Sequence, residues 1–153
     1  MIQRDYIERL IQQCAQFLER ALNLRREGQP DRAIELVRDA QEQLAGPIRT
    51  LLERLEASSA VQLAGPGEQE RVRAFAALLG EEGVIHRQLG DSASAFLCVR
   101  RALELYAALS LAGLQLRPGD LERIALLRRV LPRTDGLDDR YRAELDRLGR
   151  GRT

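Results

Sequence analysis

Apolar residues recur every three or four positions along most of the chain, the spacing of an α-helix with one apolar face. The spacing is interrupted where glycine and proline occur, as at Gly28 and Pro30, and such residues end one helix and begin the next. Because several interruptions are short, consecutive helices should fold back on each other in antiparallel pairs. The seven predicted helices cover residues 3–27, 30–45, 48–56, 68–89, 92–112, 120–131 and 137–148.

These helices are expected to form a single domain over residues 1–149, because a chain of 153 residues has the usual length of one domain. Two helical hairpins should organise it. The predicted order is the hairpin 3–45, the inserted helix 48–56, the hairpin 68–112 and the C-terminal helices 120–131 and 137–148.

Three segments are predicted to lie outside the helices. Residues 57–67 are rich in serine, alanine, glycine and proline, which is typical of a mobile connection. A turn is expected at 132–136, where proline and glycine occur again. Residues 150–153 are expected to be a frayed tail.

The composition favours helices. Leucine (27 residues) and alanine (19) are strong helix formers, whereas valine, isoleucine and threonine together number only 16. The predicted fold class is therefore all-α, a bundle of about seven helices. The formal net charge is only +1, so we expect no nucleic-acid partner. No apolar run approaches the roughly 18 residues of a membrane span and no secretion signal is recognisable, so we expect a cytoplasmic protein without a membrane partner.

The two hairpins align with each other when the sequence is shifted by 62 positions. Gly28 then meets Gly90 at the turn, and Ala21 meets Gly83 on the first helix. The second helices also coincide: Ala33, Ile34, Val37 and Ala40 meet Ala95, Phe96, Val99 and Ala102. Small side chains at these positions let two helix backbones approach, so the four alanines are expected to be buried.

This pattern resembles the helical hairpin of the tetratricopeptide repeat, over about residues 17–45 and 79–107. The chain departs from that family in its long first helix and in the insertion between the two units. The resemblance implies a concave groove lined by the first helices, which binds a peptide or helix of another protein. The groove residues that it implies are Leu18, Leu22, Arg25, Arg26, Val84, Arg87 and Gln88, together with the small residues Ala15, Ala77 and Gly80.

The opening residues 1–11 are also similar to the start of a family of small uncharacterised bacterial proteins. That resemblance implies a bacterial, cytoplasmic protein and carries no mechanism.

No residues in the sequence stand out as reactive. His86 is the only histidine, and we expect a single histidine to be a packed core or groove residue rather than a ligand or a base. Cys14 and Cys98 fall on apolar helix faces, where buried thiols act as small hydrophobic residues. The chain has no lysine and no glycine-rich phosphate loop. We therefore expect a non-enzymatic protein with no catalytic residue, no metal site and no cofactor.

Two functions stay open from the sequence. The first is binding of an unidentified protein or peptide in the groove, with apolar burial at the floor and arginine–carboxylate pairs at the rim. The second is a homodimer formed through the long first helix, with no separate ligand, for which Leu10, Phe17 and Leu24 are the test positions. The groove itself is either open or filled by the inserted helix or the C-terminal helices.

Overall fold

The computed structural model of the chain describes residues 2–131 and 136–151. All regular structure in these residues is helical, which confirms the all-α class. Short 3-10 turns, Gly46–Ile48 and Pro66–Glu68, precede the third and fifth α-helices. The α-helices are α1 (Ile2–Arg26), α2 (Pro30–Ala45), α3 (Arg49–Arg54), α4 (Ala57–Ala64), α5 (Gln69–Gln88), α6 (Ser92–Leu111), α7 (Pro118–Val130) and α8 (Asp139–Arg150).

The two hairpins, α1–α2 and α5–α6, turn with the same geometry. Gly28 and Gly90 have φ angles of 79° and 83°, in the left-handed region that favours glycine. At both turns the amide after the glycine donates a hydrogen bond of 2.9 Å to the carbonyl five residues earlier. This arrangement closes the carbonyl end of the first helix. The shared geometry agrees with the internal repeat seen in the sequence.

Small residues lie where the helices of each hairpin approach. Ala33, Ala40 and Ala102 are fully buried, and Ala95 is 5% exposed, as the sequence predicts. At the α5–α6 crossing the small residue is Gly83, which faces the side chain of Val99. The hairpins therefore pack backbone against backbone, with the larger apolar residues beside the crossing.

The hairpins stack through α5, which contacts both α1 and α2. Next, α7 packs against α5 and α6, and α8 packs against α6 and α7. Gly80 lets α7 come close, because a β-carbon at this position would lie 2.9 Å from Cδ1 of Leu127. One of the C-terminal helices thus covers part of α5. None of the described helices combines the length and apolar composition needed to cross a lipid bilayer.

The mobile connection predicted for 57–67 is wrong, because most of this segment forms α4. Glu56 caps the helix: its carboxylate accepts hydrogen bonds from the amides of Ser58 (3.2 Å) and Ser59 (3.3 Å). Ala57, Ala60 and Val61 are buried, and α4 packs against α6. The helix predicted for 48–56 is present with shorter bounds, as α3, and the second inserted helix, α4, was not predicted.

Two predicted end segments lie mainly outside the described residues. In the turn predicted for 132–136, only Gly136 is described, with a φ angle of 70°. In the predicted tail 150–153, Arg150 is the last residue of α8 and Gly151 follows it, while the last two residues are not described.

Candidate functional site

A groove runs between α1 and α7 with α5 as its floor, and we call it the α1–α7 groove. It consists of two adjoining cavities of about 310 and 480 Å³. The cavities share Ala15, Leu18, Gly119 and Arg123. The apolar lining comes from all three helices: Ile11, Cys14, Ala15, Leu18, Leu22, Ala74, Ala77, Leu78 and Leu126.

The start of α7 is fixed by its acidic third residue. Asp120 is buried and accepts a hydrogen bond of 2.9 Å from the backbone amide of Arg117, just before the helix. A guanidinium nitrogen of Arg73 on α5 lies 3.3 Å from the same carboxylate. Burial acts to lower the pKa of Arg73, but its pairs with Glu70 and Asp120 outweigh burial and raise it. This ion pair anchors α7 beside the groove.

The opposite end of the groove is held by an ion pair between α1 and α5. Nε of Arg25 lies 2.8 Å from Oε1 of Glu81, and these side chains are only 19% and 6% exposed. Gln88 adds a hydrogen bond of 3.2 Å to the backbone carbonyl of Arg25. Arg26 is exposed at the end of α1 and lines the same cavity. The charges within the groove are therefore partly neutralised, while arginine remains at its rim.

The structure places some of the predicted site residues in the α1–α7 groove and others elsewhere. Leu18, Leu22, Arg25 and Arg26 line the α1–α7 groove. Of the predicted residues of α5, Ala77 lines the groove and Gly80 lies against Leu127 of α7. The other three lie elsewhere: Val84 is half-buried against the core, Gln88 touches α1, and Arg87 lines a smaller cavity with Phe96 and Leu131.

The wall contributed by α7 was not predicted. Glu122, Arg123 and Leu126 form this wall, and Leu126 is 43% exposed. In the sequence, Leu126 lies outside the apolar stripe formed by Leu121, Ile124 and Leu127. Single exposed apolar residues are common on protein surfaces, and only the tertiary structure places Leu126 opposite α1 in the wall of the groove.

The test positions for a homodimer lie in the protein's own interior. Leu10 is 9% exposed and belongs to the core, and Phe17 and Leu24 pack against that core. Among the side chains of α1 that the structure describes, the large apolar one that is exposed is instead Tyr6, at 59%. Changes at Leu10, Phe17 or Leu24 would therefore disturb the fold as well as any dimer.

A second group of side chains meets on another face of α5. Nε2 of His86 lies 3.0 Å from Oε2 of Glu82, one turn earlier in the helix. The other carboxylate oxygen of Glu82 accepts a hydrogen bond of 2.7 Å from Gln41 on α2. The thiol of Cys98 on α6 completes the group, and its pKa is raised to about 12, first by burial and then by the charge of Glu82.

This group was not predicted from the sequence. Glu82 stands four residues before His86, a spacing that places both side chains on one face of a helix. The sequence therefore contained the His86–Glu82 pair. Cys98 lies on the following helix, and only the fold brings it to the pair.

Comparison of the chain with protein-family models, curated proteins and solved structures gives no match. The function must therefore be inferred from the geometry of the chain itself.

Proposed function

We propose that this chain is a non-enzymatic interaction module that binds an amphipathic helix of a partner protein in the α1–α7 groove. The observation that carries the proposal is the pair of adjoining cavities lined by apolar residues of three helices. Along α1 the lining extends from Ile11 to Arg26. At 1.5 Å per residue this distance is about 22 Å, or about four helical turns. A helix of about 15 residues would fit this length.

The chemistry of the occupant follows from the apolar lining and the rim. A helix with leucine or similar residues at i, i+3, i+4 and i+7 would bury its apolar face on Leu18, Leu22 and Leu126. Arg117 is exposed at one end, 3.6 Å from Glu70, and Arg26 is exposed at the other. Of the acidic residues that line the groove, Glu81 and Asp120 have basic partners, and Glu19 and Glu122 line the same cavity as Arg26 and Arg123. Carboxylates flanking the apolar face of the partner would therefore meet arginines at both ends.

The tetratricopeptide-like architecture is part of this proposal. The identical turn geometry at Gly28 and Gly90 and the buried small residues support a pair of related hairpins. The groove also follows the first helix of each hairpin, as in that family. Unlike a regular repeat array, the two units are separated by α3 and α4, and α7 supplies one wall. The resemblance of residues 1–11 supports a bacterial, cytoplasmic protein of the same kind.

The test uses two synthetic helical peptides of about 15 residues with the same leucine stripe. One peptide carries glutamate beside the stripe and the other carries arginine. We expect the acidic peptide to bind in a fluorescence anisotropy titration, and the basic peptide to bind at least about tenfold more weakly. Replacement of half-buried Leu22 by aspartate should weaken the binding of the acidic peptide by a similar factor.

The matched control is Leu63→Asp, because Leu63 is 66% exposed on α4 and does not line the groove. This variant should bind the acidic peptide as the unchanged protein does. Equal binding by Leu22→Asp, or binding of neither peptide, would refute the proposal. Light scattering on the same samples tests the homodimer: a dimer that Leu22→Asp converts to a monomer, with no peptide bound, would assign the groove to self-association.

A further inference from the structure

We propose that Glu82, His86 and Cys98 form a binding site for one divalent transition-metal ion of the zinc class. The three side chains each offer one ligand atom, and these atoms all lie within 4.8 Å of one another. Two of them come from adjacent turns of α5 and the third from α6. The site is separate from the α1–α7 groove, and metal binding there is independent of the binding of a partner helix.

The distances suit a small rearrangement on metal binding. In a tetrahedral site with ligand bonds of about 2.0–2.3 Å, neighbouring ligand atoms lie about 3.5 Å apart. The His86–Glu82 pair, at 3.0 Å, is hydrogen-bonded and must separate by about 0.5 Å to reach this spacing. The thiol lies within 4.8 Å of both partners, so closing the site requires the sulfur to approach them by at most about 1.3 Å.

The donor set selects the metal. A thiolate, an imidazole and a carboxylate form the mixture of soft, borderline and hard ligands that Zn²⁺ accepts, whereas Mg²⁺ and Ca²⁺ prefer oxygen ligands alone. Three protein ligands leave one tetrahedral position for water or a ligand from solution. On binding, the Cys98 thiol releases its proton to solvent, and the sulfur donates an electron pair to the metal.

Charge balance favours the bound state. A dication together with one carboxylate, one thiolate and a neutral imidazole has no net charge, so burial of the assembled site carries little electrostatic penalty. Gln41 donates to Oε1 of Glu82 and leaves Oε2 for the metal, which is a typical supporting contact for a ligating carboxylate. Arg38, Arg49 and Asp91 also act on these groups, and two of these three charges oppose a cation. We therefore expect moderate affinity.

The experiment is a titration of the chelator-treated full chain with Co²⁺, which occupies zinc sites and has a visible spectrum. We expect one Co²⁺ per chain, a near-ultraviolet band from thiolate-to-cobalt charge transfer, and loss of both signals when Zn²⁺ is added. Cys14→Ala is the matched control, because Cys14 is the other thiol of the chain and lies on α1. It should retain the band, whereas Cys98→Ala should lose it.

The variant Glu82→Gln keeps the size of the ligand and weakens Co²⁺ binding by at least about tenfold if the carboxylate is a ligand. This variant tests the metal site even if Cys98→Ala does not fold. Circular dichroism would show whether Cys98→Ala folds. No charge-transfer band in the unchanged protein would overturn the proposal. A band that persists in Cys98→Ala, or that disappears in Cys14→Ala, would overturn it equally.

Discussion

Replacing Gly83 by alanine tests the close approach of α5 and α6. The added β-carbon would lie 2.6 Å from Cγ2 of Val99, 3.1 Å from the Val99 backbone nitrogen and 3.2 Å from the carbonyl oxygen of Ala95. Two of these three atoms belong to the backbone of α6. Rotation of the Val99 side chain therefore relieves only part of the overlap, and the two helices must move apart.

The expected magnitude combines two opposing effects. Overpacking a close-packed interior costs about 1–3 kcal/mol, whereas alanine is favoured over glycine in a helix interior by about 1 kcal/mol. We expect Gly83→Ala to lower the free energy of unfolding by about 1 kcal/mol. Gly149 on α8 is the matched control, because a β-carbon there would meet nothing within 4 Å. Gly149→Ala should raise the free energy of unfolding by up to about 1 kcal/mol, giving a difference of about 2 kcal/mol between the variants.

The assay is urea unfolding followed by far-ultraviolet circular dichroism, with the slope compared among the variants. A double-mutant cycle with Val99→Ala adds a direct test, because removal of Cγ2 should make the alanine at position 83 less costly. If Gly83→Ala were stabilised as much as Gly149→Ala, the close contact of the two helices would be refuted.

Two further predictions concern buried charges. Arg25→Ala leaves the carboxylate of Glu81 without its partner and should lower the free energy of unfolding by about 2 kcal/mol. In urea unfolding, the double variant Arg25→Ala with Glu81→Gln should recover about half of that loss, because the unpaired buried charge is removed. A double variant no more stable than the single one would contradict this ion-pair argument. The pKa of Glu144 is lowered from 4.5 chiefly by a hydrogen bond from Arg147, and a second hydrogen bond, from Ser110, lowers it further. The contribution of Glu144 to the free energy of unfolding is therefore present above pH 4.5 and is lost as the pH falls through the folded-state pKa. Melting temperatures of Glu144→Gln should therefore decrease less on acidification than those of the unchanged protein, and equal decreases would refute this role.

The parts of the fold that could be predicted from the sequence are mostly those that depend on local residue patterns. The turn glycines, the amphipathic stripes and the buried alanines depend on neighbouring residues of one hairpin, and such information is present in the sequence. The segment 57–67 was mispredicted because its serine, alanine, glycine and proline content was given more weight than the spacing of the apolar residues in 57–64. Ala57, Ala60, Val61 and Ala64 follow the i, i+3, i+4, i+7 pattern of a helix face, and the first three are buried. Periodicity was the better guide there.

The sequence predicted mainly the α1 side of the candidate site. The residues of α1, with Ala77 on α5, followed from the resemblance to the tetratricopeptide hairpin, which implies a groove lined by the first helices. The wall formed by α7 depends on contacts such as that between Gly80 and Leu127, which are far apart in the sequence. The cluster of Glu82, His86 and Cys98 shows the same division, since its helical pair is a local feature and its third member is not. Contacts between distant segments leave little trace in one sequence.

Four consecutive residues of α5 explain why both proposals concern this helix. Because each residue is rotated by about 100° from the last, four in a row point in all directions around the axis. Residues 80–83 contact, in order, α7, α1, α2 and α6. Within this stretch, Glu81 lines the α1–α7 groove and the next residue, Glu82, belongs to the candidate metal site. Variants on surrounding helices separate the two sites. Leu22→Asp on α1 should weaken peptide binding and leave Co²⁺ binding unchanged, whereas Cys98→Ala on α6 should lose the Co²⁺ band and leave peptide binding unchanged.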